Sequence, residues 1–248
     1  MSVAMDATLF EIAESPAAFI VPPHPGVVCE QGYVVSQLAR STGAVQRIRL
    51  AAAELDEARE RVRQVASERG WSEVTWWVSE LTTPPDLGTR LALERRETVA
   101  ALALRRAPES SSRIRVSRVE SLEQFRVAQR IDTLAHGGKL PADDSVYAET
   151  WERLRDTFLL WLAHDGGEPV AMARAGAADG ALMLIGGATL PHARGRGAYR
   201  ALVAARWEEA VRLGTPALVV QANASSEPIL SRLGFDRLGA ITLWLDRL

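Results

Sequence analysis

The sequence predicts an α/β protein, with a mixed, mostly antiparallel sheet flanked by helices and two similar units in tandem. Three observations carry this. Short apolar runs of strand length recur between segments with the three-to-four-residue apolar spacing of helices. Two runs, Phe158 to Ala163 and Pro169 to Ala175, flank Asp165-Gly166-Gly167 and read as a hairpin of antiparallel strands. The element order of the second half also has an echo in the first, at an offset of about 142–144 residues.

The 248 residues suffice for two units of about 100–150 residues each. The clearest boundary is the polar stretch Arg105 to Arg113, with Pro108 and three consecutive serines between apolar segments. It divides the chain into residues 1–107 and 108–248.

In the second unit, Arg113 to Val119 alternates like an edge strand. Ser121, followed by Glu123, opens a helix to about Ala135. After a loop at 136–142, a second helix runs from Asp143 to Asp156, and then comes the hairpin. The next strand, Ala181 to Leu190, contains Gly186-Gly187, a pair that marks a bulge or the close approach of a ligand. A helix from Gly197 to Leu213 follows, with an expected apolar stripe of Tyr199, Val203, Trp207 and Ala210. A strand at 217–222, a short helix at 226–233 and a strand at 240–245 complete the unit. The first unit repeats this closing order: helix 52–69 with stripe Leu55, Ala58, Val62 and Val65, strand 74–78, short helix 85–93 and strand 98–104.

Composition excludes several classes. Net charge is −2, so no global basic field argues for nucleic acid. The single cysteine, Cys29, rules out an intrachain disulfide and a cysteine-based zinc site, and no metal is expected. No basic-then-apolar leader stands at the start and no apolar run approaches a membrane span, so a cytoplasmic protein is expected. Trp76 and Trp77 read as core or interface residues of a strand rather than a ligand cage.

Arg194-Gly195-Arg196-Gly197-Ala198-Tyr199-Arg200 is the most informative stretch. It places three arginines where a helix begins, an end that is already electropositive. An anion among them would resolve that conflict. Gly195 and Gly197 leave backbone N–H groups free to close on it, which suggests a phosphate-bearing ligand. Taken alone, the stretch is also compatible with a loop-to-helix joint whose arginines are solvated. A Rossmann fingerprint fails at Arg200, where glycine is needed, and no Gly-Lys-Ser/Thr completes a P-loop.

Residues 113–248 resemble the GCN5-related N-acetyltransferase (GNAT) superfamily. Arg194-Gly-Arg-Gly-Ala-Tyr199 is similar to its acyl-CoA signature, [Gln/Arg]-x-x-Gly-x-[Gly/Ala]. The segment Val220 to Phe235, ending Leu233-Gly234-Phe235, is similar to its late strand, splayed loop and short helix. The resemblance implies that backbone groups of Gly187, Ala188 and Thr189 pair with the pantetheine arm of acetyl-CoA. It implies that the N–H groups of Gly195, Arg196, Gly197, Ala198, Tyr199 and Arg200 wrap the pyrophosphate. Asn223 stands where the family has a polar side chain near the pantetheine, although a residue of this type after a strand is also an ordinary turn former.

Two positions depart from the family pattern. Tyr199 stands where glycine or alanine is usual, and it also falls on the expected apolar stripe of its helix. Leu230 stands where many members carry a tyrosine that protonates the leaving thiolate. The implied reaction is attack of a primary amine, on a small molecule or peptide, on the acetyl thioester. Glu149, Tyr147, His192 and His136 are candidate bases by chain neighbourhood alone, and Glu149 and His192 also read as solvated side chains. The alternative is a non-catalytic CoA-binding or scaffold protein. The oligomeric state, monomer or homodimer, is left open. In the first unit the helix begins Leu50-Ala-Ala-Ala-Glu54, with a carboxylate where the anion site would be, so no CoA site is expected there. Its expected roles are to shape the acceptor pocket or to complete the fold's surface.

Overall fold

The computed structural model describes residues 2–23, 26–39, 41–109 and 113–248. The first half contains α1 (Ser2–Glu14), α2 (Pro16–Phe19), β1 (Val28–Glu30), β2 (Tyr33–Ala39), β3 (Thr42–Gln46), α3 (Leu55–Glu68), β4 (Glu73–Ser79), α4 (Leu87–Arg90) and β5 (Glu94–Leu104). The second contains β6 (Arg115–Arg118), α5 (Leu122–Ala135), α6 (Ser145–Leu154), β7 (Phe158–Asp165), β8 (Glu168–Ala178), β9 (Ala181–Thr189), α7 (Ala198–Arg212), β10 (Leu218–Ala222), α8 (Glu227–Arg232) and β11 (Asp236–Arg247). The elements expected from the sequence are present with shifted ends. The strand expected at 240–245 runs from 236 to 247, the one expected at 98–104 begins at Glu94, and the short helix expected at 85–93 contracts to Leu87–Arg90. Helix α1 and strands β1 to β3 are additions that the sequence reading did not contain. Ser110, Ser111 and Ser112, the serines of the expected boundary, lie outside the described residues.

The strands form one sheet in the order β1-β2-β3-β4-β11-β5-β10-β9-β8-β7-β6. Pairing is antiparallel except for β3 with β4 and β9 with β10. The last strand of each half crosses into the other. β11 lies between β4 and β5, and β5 lies between β11 and β10. At the centre Thr98 pairs with Thr242. Their hydroxyl oxygens are 3.1 Å apart across a sequence separation of 144 residues. These two residues, separated by the offset read from the sequence, face each other at the centre of the sheet.

Burial follows from the side-chain patterns. Helix α3 buries Leu55, Ala58, Val62 and Val65 against the first half of the sheet, as their spacing requires. Trp76 and Trp77 are both buried, the former completely. Helix α1 sets Leu9, Phe10, Ile12 and Ala13 against Val99 and Ala101 of one half and Met183 and Val219 of the other. Each large apolar side chain buried this way contributes about 1.5–3 kcal/mol. Gly239 permits the approach, because a Cβ there would stand 2.6 Å from the Phe10 ring.

Ion pairs reinforce the exchange. Asp246, near the end of β11, accepts from Arg59 of α3 at 2.8 Å through both oxygens and from Arg63 at 3.1 Å. Glu14, fully buried at the end of α1, accepts from Arg49 at 2.7 Å and from the Ser79 hydroxyl at 2.6 Å. Gln221 of β10 donates to the Ala13 carbonyl at 2.6 Å, fixing the end of α1 over the second half. Among the described residues, no helix is long and apolar enough to cross a membrane.

Candidate functional site

The glycine–arginine turn joins β9 to α7. After Thr189 comes one 3-10 turn, Pro191–Ala193, and then two glycines with positive φ, Gly195 at 78° and Gly197 at 90°. Gly197 occupies the N-cap position without any side-chain cap. The first helical hydrogen bond runs from the Ala201 N–H to the Gly197 carbonyl at 3.0 Å. The N–H groups of Ala198, Tyr199 and Arg200 precede it and have no acceptor within the helix. A helix start of this kind offers aligned donors to an anion.

The three arginines do different things. Arg194 donates to the carbonyls of Thr189 (3.2 Å) and Ala135 (2.9 Å), so it holds the turn onto β9 and the end of α5. Arg196 is exposed and pairs with Asp165 at 3.1 Å. Arg200 is half-buried. The expectation of three arginines gathered around an anion therefore narrows to Arg196 and Arg200. The cause is that Arg194 satisfies backbone carbonyls that the turn would otherwise leave open.

Strands β9 and β10 pair only over Leu182–Leu184 and Leu218–Val220. Beyond these residues β9 continues through Gly187 and Ala188 to Thr189 without a partner on its β10 side. The opposite side stays paired with β8, with a register shift between Ala173 and Ala175 that bulges Ile185 and Gly186. Gly186 has φ 78°, as a bulge residue in this conformation requires. The glycine pair thus marks a bulge at its first member and a close approach at its second. A Cβ on Gly187 would lie 3.3 Å from the Tyr199 ring. The bulky side chain at the sixth signature position is accommodated because the facing strand residue has no side chain. The guanidinium of Arg206 stands 5.8 Å from the centroid of the same ring.

Arg206 corrects the expected stripe of α7. The helix buries Leu202, Val203, Arg206 and Ala210, while Tyr199 and Trp207 are half-buried. An arginine takes the buried face because its Nε donates to the Leu202 carbonyl at 3.0 Å and its guanidinium meets the Tyr199 ring. Burial pushes its pKa down, with Tyr199 opposing the shift. Asn223 uses its side-chain oxygen locally, accepting from the N–H groups of Ser225 and Ser226 at 3.1 Å each. It therefore shapes the loop that leads into α8. Leu230 is 1% exposed and packs in the core beneath that helix.

A cavity of about 810 Å³ opens where β9 and β10 part. Leu184, Ile185 and Gly186 line it from the sheet. Val146, Glu149, Thr150 and Arg153 line it from α6, at the spacing that places side chains on one helix face. The first half supplies Ala17, Gln37, Gln46 and Trp77, so the cavity is shared between the halves. Arg174 of β8 and Gln221 of β10 also reach it. Sequence reasoning did not single out either one. The available signal was a cation inside the otherwise small and apolar run Val170 to Ala178.

Of the candidate bases, Glu149 alone lines this cavity. Tyr147 belongs to the buried cluster between α5 and α6, and its hydroxyl has no partner among the described residues. Burial chiefly pushes its pKa up, assisted by Asp144 and opposed by Arg130. His192 is exposed in the 3-10 turn, and His136 is exposed at the end of α5, where Nδ1 lies 2.8 Å from the Asp132 carbonyl. In the first half, the Glu54 carboxylate accepts from the Ala51 N–H at 2.6 Å. An internal anion already occupies that helix start.

Strands β9 and β10 thus part beside an uncapped, glycine-rich helix start. Residues 122–235 match the family model described as the Acetyltransferase (GNAT) family. No curated protein matches the sequence. Solved structures extend the likeness to the whole chain. A GCN5-related N-acetyltransferase from Kribbella flavida is 18% identical, with 98% of this chain and 96% of that one covered at a TM-score of 0.68. A tandem GNAT protein from the clavulanic acid biosynthesis pathway is 13% identical, with 98% and 94% covered at 0.62. A functionally unknown conserved protein from Staphylococcus epidermidis is 10% identical, with 96% and 99% covered at 0.63. At these identities the shared property is the tandem fold.

Proposed function

We propose that the chain transfers an acetyl group from acetyl-CoA to a primary amine of a small-molecule or peptide acceptor. The observation that carries this reading is one continuous path: the unsatisfied N–H groups at the start of α7, the unpaired side of β9 and the shared cavity follow one another. In this reading the pyrophosphate sits on the N–H groups from Gly195 to Arg200, with Arg196 and Arg200 beside it. The pantetheine arm pairs with Gly187, Ala188 and Thr189 in place of the missing strand, and Asn223 borders the arm through the loop it shapes. The thioester then meets the cavity at the bulge of Ile185 and Gly186. No metal takes part.

The acceptor amine attacks the thioester carbonyl as a neutral nucleophile. Glu149, directly or through a water, takes the proton that nitrogen loses. A backbone N–H of the bulge stabilises the oxyanion. Collapse breaks the C–S bond, and the thiolate takes a proton from solvent, because Leu230 offers none. Thiols have a pKa near 8.5, so this last step is undemanding.

The division into a CoA-binding half, 108–248, and a half without a CoA site, 1–107, belongs to the same proposal. It is supported by the Glu54 carboxylate at the first half's helix start and by that half's contribution to the cavity wall. Leu230 favours a second reading, a protein that binds CoA without turnover. The deciding experiment is thiol release from acetyl-CoA by the full chain over a broad amine panel. Turnover with any amine supports transfer; saturable CoA binding without turnover across the panel supports the second reading.

A further inference from the structure

Arg174 stands out among the groups that the proposed chemistry does not use. It projects from β8 at the bulge, where Nε donates to the Ile185 carbonyl at 3.3 Å. Its guanidinium lies 5.8 Å from the Phe158 ring centroid and lines the shared cavity. A Cβ on Gly186 would stand 3.9 Å from its terminal nitrogen, an ordinary contact distance, so the guanidinium lies beside the bulge. No carboxylate forms an ion pair with it among the described residues, and Asp132 acts on it only at longer range. Burial pushes its pKa down, with Asp132 opposing. Arginine nevertheless keeps its charge in proteins.

Arg174 is half-buried, and partial removal of water strengthens the attraction of its unpaired cation for any anion that enters. Among the described residues, the cavity wall adds Arg153 and a single carboxylate, Glu149, both on the exposed face of α6. Two cations and one anion among the described residues leave the wall electropositive. The guanidinium presents paired N–H groups that match a carboxylate or phosphate in two parallel hydrogen bonds. Gln46 of the first half lines the same cavity and accepts through its side-chain oxygen from the Ala17 N–H at 3.4 Å.

We propose that Arg174 anchors an oxyanion group on the acceptor, so that the substrate is an amine that also carries a carboxylate or a phosphate. This rests on the acetyl-transfer reading. It adds a division of labour: Arg174 fixes the acidic end, and Glu149 on the facing helix receives the amine.

The test uses the full chain and matched compounds. Short ω-amino acids of graded length, the corresponding aminoalkyl phosphates and the neutral amides of the same acids are compared by kcat/KM with acetyl-CoA. The expected result is a preference of about tenfold or more for one acidic series over its neutral counterpart, the difference made by one well-formed ion pair. Which series leads distinguishes carboxylate from phosphate. Arg174→Met should bring the acid down to the level of its amide, and Arg174→Lys should retain part of the preference. A second readout does not need turnover. The N-acetylated acids and amides are titrated calorimetrically into the CoA-saturated protein, with melting temperatures confirming that the variants fold. Absence of turnover with saturable, Arg174-dependent binding of the acids would defeat the transfer reading and leave the anion site standing. Equal binding of acid and amide, no binding of any acid, or a preference that survives Arg174→Met would overturn the anion site itself.

Discussion

Replacing Gly197 by valine should remove acetyl-CoA binding from a chain that still folds. Gly197 has φ 90° and ψ 3° at the N-cap of α7. An L-residue held in the left-handed region costs roughly 1–2 kcal/mol, and a β-branched one stands at the upper end. For a chain of this size each kcal/mol lowers the melting temperature by about 2–4 °C, so a fall of roughly 4–8 °C is expected. The loss in binding should be larger. Hydrogen bonds to a charged group contribute about 1.5–3 kcal/mol each. Obstructing two of the N–H donors of Ala198, Tyr199 and Arg200 removes about 3–6 kcal/mol, a hundredfold or more in Kd. Gly214→Ala is the control for strain. It lies just beyond the other end of α7 with φ 76° and has nothing within 4 Å of an added Cβ. It should lower the melting temperature by a few degrees and leave the affinity unchanged. Isothermal titration of both variants with acetyl-CoA, alongside melting curves, separates the two effects. A folded Gly197→Val protein that binds acetyl-CoA like the wild type would refute the assignment of the cradle.

Three further outcomes are expected. Because β5 and β11 are exchanged between the halves, urea unfolding should give one cooperative transition, with fluorescence and far-UV circular dichroism coinciding; two separated transitions would contradict that coupling. Burial acts to raise the Asp246 pKa, but the hydrogen bonds from Arg59 and Arg63 outweigh it and hold the carboxyl below its ordinary value. The stability it confers is thus present above the unfolded value of about 3.9 and lost as pH falls through the lower folded value. Asp246→Asn should lower the urea midpoint at neutral pH and flatten its decline in acid; an unchanged acid limb would count against the pair. Glu149→Gln should reduce kcat with the best amine roughly 100-fold or more while the Kd for acetyl-CoA stays the same; full activity would remove Glu149 as the base.

The second half was largely legible because its signals are local. Glycine turns bound its strands, Ser121 accepts from the Gln124 N–H as a helix cap should, and the hairpin closes around Gly166 and Gly167. Helix α1 gave no one-sided pattern, because Leu9, Phe10, Ile12, Ala13 and Glu14 are all buried, beneath both halves of the sheet and at the Arg49 pair. Strands β2 and β3 bury consecutive residues, which hides the alternation of a half-exposed strand. The strand exchange itself has no local signature. The repeat offset was visible, but the pairing of Thr98 with Thr242 depends on residues far apart in sequence. At the site, the turn and the glycine pair could be read because backbone conformation demands glycine. The inward direction of Arg174 and the participation of Gln46 and Trp77 arise only when the two halves close around one cavity.

The most direct test of the account is a crystal structure of the full chain with acetyl-CoA bound. The account predicts pyrophosphate oxygens within hydrogen-bonding distance of the N–H groups between Gly195 and Arg200. It also predicts the pantetheine arm alongside Gly187 to Thr189, with the thioester facing the cavity at Ile185 and Gly186. Density for the nucleotide at the start of α3 in the first half, or a thioester directed away from the shared cavity, would contradict it.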